Sequence, residues 1–172
     1  LRQNLDVLSY VSTDDKMYLY LNGSLYQMTL GDGSCQVIQD GIAKDCFVVS
    51  QSQANVAWMI AESANQASEI TVMSLKTQET LQLTAEEGQK IKALGFINDD
   101  FVYGIANDAD IVTDVSGNQT FAMSTIRIQG MDGTVKKEYH QDGVYVTGIS
   151  VSNGLLEMDR VVRQGDGYVE TS

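Results

Sequence analysis

The sequence predicts an all-β fold made of repeated antiparallel four-stranded units, and three observations predict it. Short apolar stretches break at polar turns and at once resume, as in "LGFINDDFVYGIAN" at 94–107. Asn-Gly and Asp-Gly dipeptides punctuate the chain, supplying the positive φ that tight hairpins need. No segment of comparable length carries a helical apolar period, and the best candidate, "TAEEGQKIKAL", is interrupted by Gly88.

The elements follow in order. The first unit opens with "DVLSYVSTDD" from Asp6 and continues through "KMYLYL", "SLYQMTL" from Ser24 and "SCQVIQ" from Ser34. The second runs through "CFVVSQSQAN" from Cys46, "VAWMIAE", "EITVMSL" from Glu69 and "ETLQLT" from Glu79. "IKALGFINDD" from Ile91, "FVYGIA", "TIRIQGM" from Thr125 and "TVKKEYH" from Thr134 make the third. The fourth has "VYVTGISVSNG" from Val144, "LLEMDRVV" and "GYVETS", with no fourth strand visible. Aligning Lys16, Val56, Phe101 and Leu155 spaces the units by 40, 45 and 54 residues. The units span about 6–45, 46–90, 91–143 and 144–172 of a single domain, 1–172.

Turn chemistry agrees with this register. Asn22-Gly23 separates a second from a third strand; Asp32-Gly33 and Asp132-Gly133 separate third from fourth strands; Asp40-Gly41 and Asp142-Gly143 follow fourth strands. Asn98, Asp99 and Asp100 are expected to turn the chain between the first two strands of the third unit. "EITVMSL" and "TIRIQGM" alternate apolar and polar residues, as half-buried strands do. The second strands are more uniformly apolar, which predicts cover on both faces.

Units of this kind, repeating every 40 to 54 residues, resemble the blades of WD-repeat-like and Tol-type β-propellers. The resemblance implies a β-propeller-like array of about four antiparallel blades. The Trp-Asp and Gly-His signatures of true WD repeats are absent, so it implies a fold and no activity. The stretch from "LGFINDDFVYGIA" through "DIVTDVSGNQTFAM" to "EYHQDGVYVTGISV" is also similar to propeller regions in large cell-surface proteins of anaerobic Gram-positive bacteria. Three full units and part of a fourth predict an incomplete, open segment. The rest of a parent chain or a homo-oligomer would then cover its blade edges.

Composition narrows the partners. The chain of 172 residues is 43% hydrophobic, as a folded domain requires. Its 23 acidic residues against 11 basic ones give a net charge of -12, which repels nucleic acid backbones and anionic headgroups. No apolar run reaches the roughly 18 to 20 residues of a membrane helix, so membrane insertion by this segment is not expected. The start, LRQNLDVLSY, has neither an initiator Met nor a signal-peptide layout, which suggests a segment of something longer. Prolines are absent, and nothing in the sequence accounts for that.

Few residues suggest chemistry. Cys35 and Cys46, the only cysteines, are a disulfide candidate between adjacent units, which would imply an oxidising, extracytoplasmic setting; two buried free thiols are the alternative. With one histidine, a four-ligand zinc site is nearly excluded, and His140 reads as an exposed residue at a strand end. No G-x-S-x-G elbow and no helix-opening phosphate loop occurs. The longest departure from the repeat is 107–123, where Asp108, Asp110, Asp114 and Asn118 are the binding candidates of a projecting loop. Their oxygens suit a weak calcium site, but the spacing lacks the glycine and closing glutamate of an EF-hand, so a solvated loop is the stronger reading. Tyr18, Trp58 and Tyr103 share one register, predicting core packing rather than a sugar platform. Glu86 and Glu87 are neighbours in a turn and form no catalytic pair of their own.

The expected function is therefore a non-catalytic interaction module of a bacterial cell-surface or secreted protein, binding a protein, peptide or glycan through blade-edge loops. No cofactor and no metal are implied. The alternative is an accessory propeller segment of a carbohydrate-active or peptidase-type enzyme whose catalytic residues lie outside this chain.

Overall fold

A computed structural model describes residues 8–171. Of the expected first and last strands, Asp6, Val7 and Ser172 lie outside the described residues. The chain folds as a succession of antiparallel meanders. The first comprises β1 (Ser9–Val11), β2 (Lys16–Leu21), β3 (Ser24–Thr29) and β4 (Cys35–Gln39), in that spatial order. The second comprises β5 (Phe47–Val49), β6 (Asn55–Trp58), β7 (Glu69–Ser74) and β8 (Thr80–Thr84). The third begins with β9 (Gln89–Ile97) and β10 (Asp100–Asn107), is interrupted by a separate hairpin of β11 (Ile111–Thr113) and β12 (Gln119–Phe121), and resumes with β13 (Thr125–Gln129) and β14 (Val135–His140). The fourth has three strands, β15 (Val144–Ser152), β16 (Leu155–Gln164) and β17 (Gly167–Glu170). This is the blade succession of a β-propeller, laid out as an open array without a closed barrel. Among the described residues no helix is long and apolar enough to cross a membrane.

The turns explain the meander. Asn22 and Gly23 both have positive φ (52° and 79°), the type I′ geometry that matches strand twist. Asn98 and Asp99 do the same at 47° and 64°, while Asp100 already pairs with Ile97 in the strand, so the turn is one residue shorter than its sequence suggests. Asx chemistry makes this possible, because Asn and Asp tolerate the left-handed region better than other residues with a side chain.

Tyr18, Trp58 and Tyr103 are all buried in one apolar cluster that runs from the first sheet into the third. Tyr20 stacks on Phe47 with ring centroids 4.1 Å apart, and its hydroxyl donates to the Ile42 carbonyl at 2.9 Å, so one residue joins the first sheet to the second. A second cluster, with Val102, Met123, Ile126 and Val146 at its centre, joins the third sheet to the fourth. Met123 and Val146 exchange both backbone hydrogen bonds at 2.8 Å. β6 is buried throughout and β10 nearly so, as their sequences predict. β2 and β16 depart from that expectation, since most of their residues are half-buried or exposed.

Candidate functional site

The first strands of the second, third and fourth sheets converge on a cleft of about 950 Å³. Val49 of β5, Leu94 and Phe96 of β9, and Ile149 and Val151 of β15 form its apolar walls. Two of these strands are bulged just before they reach it. In β9 the register shifts between Val102 and Tyr103 of the partner strand, leaving Leu94 unpaired beside Gly95. In β15 it shifts between Val146 and Gly148, leaving Thr147 unpaired. A bulge adds twist and re-aims the residues that follow it, and in both strands these are cleft residues. The shared "LG" and "TG" steps make this a repeat feature.

The rim is made by the turns that leave these strands: Gln51 and Ser52, Asn98 and Asp99, and Asn153 and Gly154 after Ser152. The turn after β5 is tied to both of its neighbours: Gln53 Oε1 accepts from the Ser9 N–H at the start of β1 at 3.2 Å, and the Ser52 hydroxyl donates to Asp99 Oδ1 in the turn after β9 at 2.6 Å. The lining thus offers amides, hydroxyls and one carboxylate around an apolar floor, with no basic side chain. Such a surface suits a neutral or cationic hydrogen-bonding ligand and disfavours an anion.

The candidates singled out from the sequence lie elsewhere. The 107–123 segment is a folded hairpin preceded by a 3-10 turn at Asp108–Asp110, not a solvated loop. Asp110 is buried at 7% exposure; it accepts from Asn107 Nδ2 at 2.8 Å and faces Arg163 at 3.7 Å, while its carbonyl accepts from the Tyr168 hydroxyl at 3.1 Å. It is a seat for the fourth sheet. Asp108 pairs instead with Lys90 at 3.6 Å. Asp114 and Asn118 do meet, at the exposed hairpin tip: Asp114 accepts from the Asn118 side chain at 3.0 Å and from its backbone at 2.8 Å, bonds that hold the carboxyl below the usual carboxylate range. The four are therefore divided among three neighbourhoods, and no group of three His, Cys, Asp or Glu residues able to share a cation occurs among the described residues.

Cys35 and Cys46 are not brought together. Both are free, Cys35 exposed at the start of β4 and Cys46 buried in the turn before β5. Burial, with the Asp45 carboxylate alongside, pushes the Cys46 thiol up to about 11. His140 sits exposed at the end of β14, its Nδ1 2.8 Å from the Ser124 carbonyl and its Nε2 3.1 Å from Asp142, and both acceptors raise its pKa. Lys92, which drew no notice in the sequence, donates to Asn65 Oδ1 at 2.9 Å and lies 5.2 Å over the Phe121 ring, tying the second sheet's loop to the inserted hairpin; burial lowers its pKa.

No protein-family profile matches the chain, and no curated protein matches it in sequence. Among solved structures it is similar to the WD40 repeats of RRP9, at 10% identity and TM-score 0.47, over 95% of this chain and 50% of that one. It is similar to the β-propeller domain of the Trilobed protease from Pyrococcus furiosus, reported with an open velcro topology, at 12% identity and TM-score 0.42, over 96% of this chain and 57% of that one. TolB from Acinetobacter baumannii follows at 13% identity and TM-score 0.33, over 95% of this chain and 42% of that one. The chain spans about half the length of these proteins. The fold assignment rests on its own sheets.

Proposed function

We propose that this chain is a non-catalytic interaction module that binds a peptide, protein or glycan through the turns at its blade edges, with the cleft between β5, β9 and β15 as the principal site. The observation that carries the reading is the convergence of three turns, from three sheets, on one cleft whose rim holds amides, hydroxyls and the Asp99 carboxylate. Loops held by a rigid scaffold are where recognition concentrates. The exposed Asp114–Asn118 tip is a second contact point in the same proposal. The reading also sets the protein at the cell surface or in secretion; its support there is the sequence resemblance over 94–151, since the free thiols lend none.

The test is a glycan and peptide array probed with the wild-type chain and with Ser152→Trp, which fills the cleft from an exposed position. A ligand held by the wild type and lost by the variant is expected. A ligand indifferent to Ser152→Trp, or turnover of a glycan or peptide by the chain alone, would overturn the proposal.

A further inference from the structure

The outermost strands of the three four-stranded sheets differ in how their free edges are protected. An open edge templates another strand unless charges, a bulge or a cover block it. β14 carries Lys136, Lys137 and Glu138 and a register shift opposite Ile128 and Gln129. β4 shifts register opposite Leu25 and Tyr26. β8, reading TLQLT, has neither device: its ladder with β7 is unbroken from Glu69↔Thr84 to Met73↔Thr80, and it contains no charge.

The direction of its free groups follows from the hydrogen bonds at its ends. The Ser74 N–H donates to the Glu79 carbonyl at 3.0 Å, and the Ala85 N–H to the Ser68 carbonyl at 2.8 Å. Bonded and non-bonded pairs alternate along an antiparallel ladder. Leu81 and Leu83 therefore turn their backbone groups toward β7, and Thr80, Gln82 and Thr84 turn theirs to the open edge. Among the described residues no backbone hydrogen bond from another element reaches those three.

Two cavities flank this strand, between the second sheet and the third. One of about 320 Å³ lies at its C-terminal end, walled by Leu83, Tyr103 and Ile105, with Arg127 engaged by Glu138. The other, of about 470 Å³, lies at its N-terminal end and joins Leu81 and Met131 to the carboxylates of Glu79 and Asp132.

We propose that β8 is a strand-addition site for an extended peptide, separate from the cleft of the preceding proposal. The peptide runs antiparallel to β8, sets an apolar side chain in the cavity beside Tyr103 and Ile105, and nearer its C-terminus sets a lysine or arginine beside Glu79 and Asp132. Alternate residues of an added strand fall on one face, so both anchors belong to the same face, and backbone pairing supplies the rest of the affinity.

The probe is the fluorescein-labelled peptide TVTVTKT, titrated with the full chain and followed by anisotropy. Saturable binding is expected, weakened about five- to tenfold by Gln82→Pro, which removes one outward N–H and leaves the β7 ladder intact. Should Gln82→Pro fail to fold, the same peptide N-methylated on the groups that face β8 serves in its place, and it should not bind the wild type. TVTVTQT should bind more weakly than TVTVTKT, by a margin that shrinks with salt. Ser152→Trp should leave TVTVTKT binding unchanged, so the fate of this proposal is read apart from that of the cleft. Equal binding of methylated and unmethylated peptides would overturn it, and so would self-association of the chain abolished by Gln82→Pro, which would make a second copy the occupant.

Discussion

Gly104 tests the junction between the third and fourth sheets. A Cβ at this position of β10 would stand 2.8 Å from Met123 Cγ, closer still to its sulfur, and 3.3 Å from Ile126 Cδ1. Met123 and Ile126 are both 1% exposed, and the Met123 backbone is held by its two bonds to Val146, so the side chain has little room to retreat. Overpacking a filled core costs about 1–3 kcal/mol. Replacing a strand glycine returns roughly half a kcal/mol of backbone entropy. Gly104→Ala should therefore lose about 1–2 kcal/mol, with a fall in Tm of about 2–4 °C for each kcal/mol at this chain length. Met123→Ala alone should cost about 2–5 kcal/mol by opening a cavity. In the double variant the new methyl enters the space the sulfur vacates, and the combined loss should fall short of the sum by about 1 kcal/mol or more. Urea denaturation of the four proteins measures the cycle. A neutral Gly104→Ala, or additivity within about 0.5 kcal/mol, would refute the packing account.

Three other outcomes are expected. Asp110→Ala strands the Asn107 amide and frees Arg163, and should cost about 1–3 kcal/mol with faster amide exchange across 108–121; unchanged exchange there would remove its role as a seat for the fourth sheet. Iodoacetamide on the native protein at pH 8 should modify Cys35 and spare Cys46, whose thiol is pushed up to about 11 by burial, and should modify both in urea; two adducts on the folded chain would contradict the burial. His140 has a folded pKa raised above its unfolded value of about 6.5, so its contribution to stability is complete below that pH and lost as pH rises through the folded value. A ring titration by NMR should show the raised midpoint, and His140→Gln should flatten the decline in stability above pH 6.5; a midpoint at or below the ordinary value would refute it.

How far the sequence could be read depended on the range of the interaction. Asn22-Gly23 and Asn98-Asp99 act through their own φ angles, so their turns were legible from the residues, as were the buried positions of Tyr18, Trp58 and Tyr103 from a shared register. Asp110 reads as a loop residue because its partners, Arg163 and Tyr168, come from β16 and β17 of the next sheet, far along the chain. Adjacency of their units made Cys35 and Cys46 a disulfide candidate, yet one lies on an outer strand and the other in the turn entering an inner one. The cleft escaped notice for a similar reason. Each of its turns was visible alone, while their convergence depends on three sheets placed side by side. Gly95 and Gly148 were the available signal, each one residue past the unpaired residue of a bulged first strand.

That dependence on neighbouring sheets couples the cleft to the core. Val146, fixed to Met123, and Ser152, on the cleft wall, are positions of one strand, β15, and β9 contributes both Leu94 to the cleft and Ala93 to the core cluster. A ligand that bridges β5, β9 and β15 binds only when these strands stand in register, so it stabilises the folded array by RT ln(1 + [L]/Kd), about 2.7 kcal/mol at a hundredfold excess over Kd. The converse follows by linkage. Gly104→Ala, which touches no cleft residue, should weaken ligand binding to the extent that it displaces Met123 and, with it, β15, while Ser152→Trp should block the ligand and leave the Met123–Val146 junction, and hence the urea midpoint, nearly unchanged. Affinity and stability moving together in the first variant and apart in the second would distinguish a cleft supported by its blades from three turns that meet only by proximity.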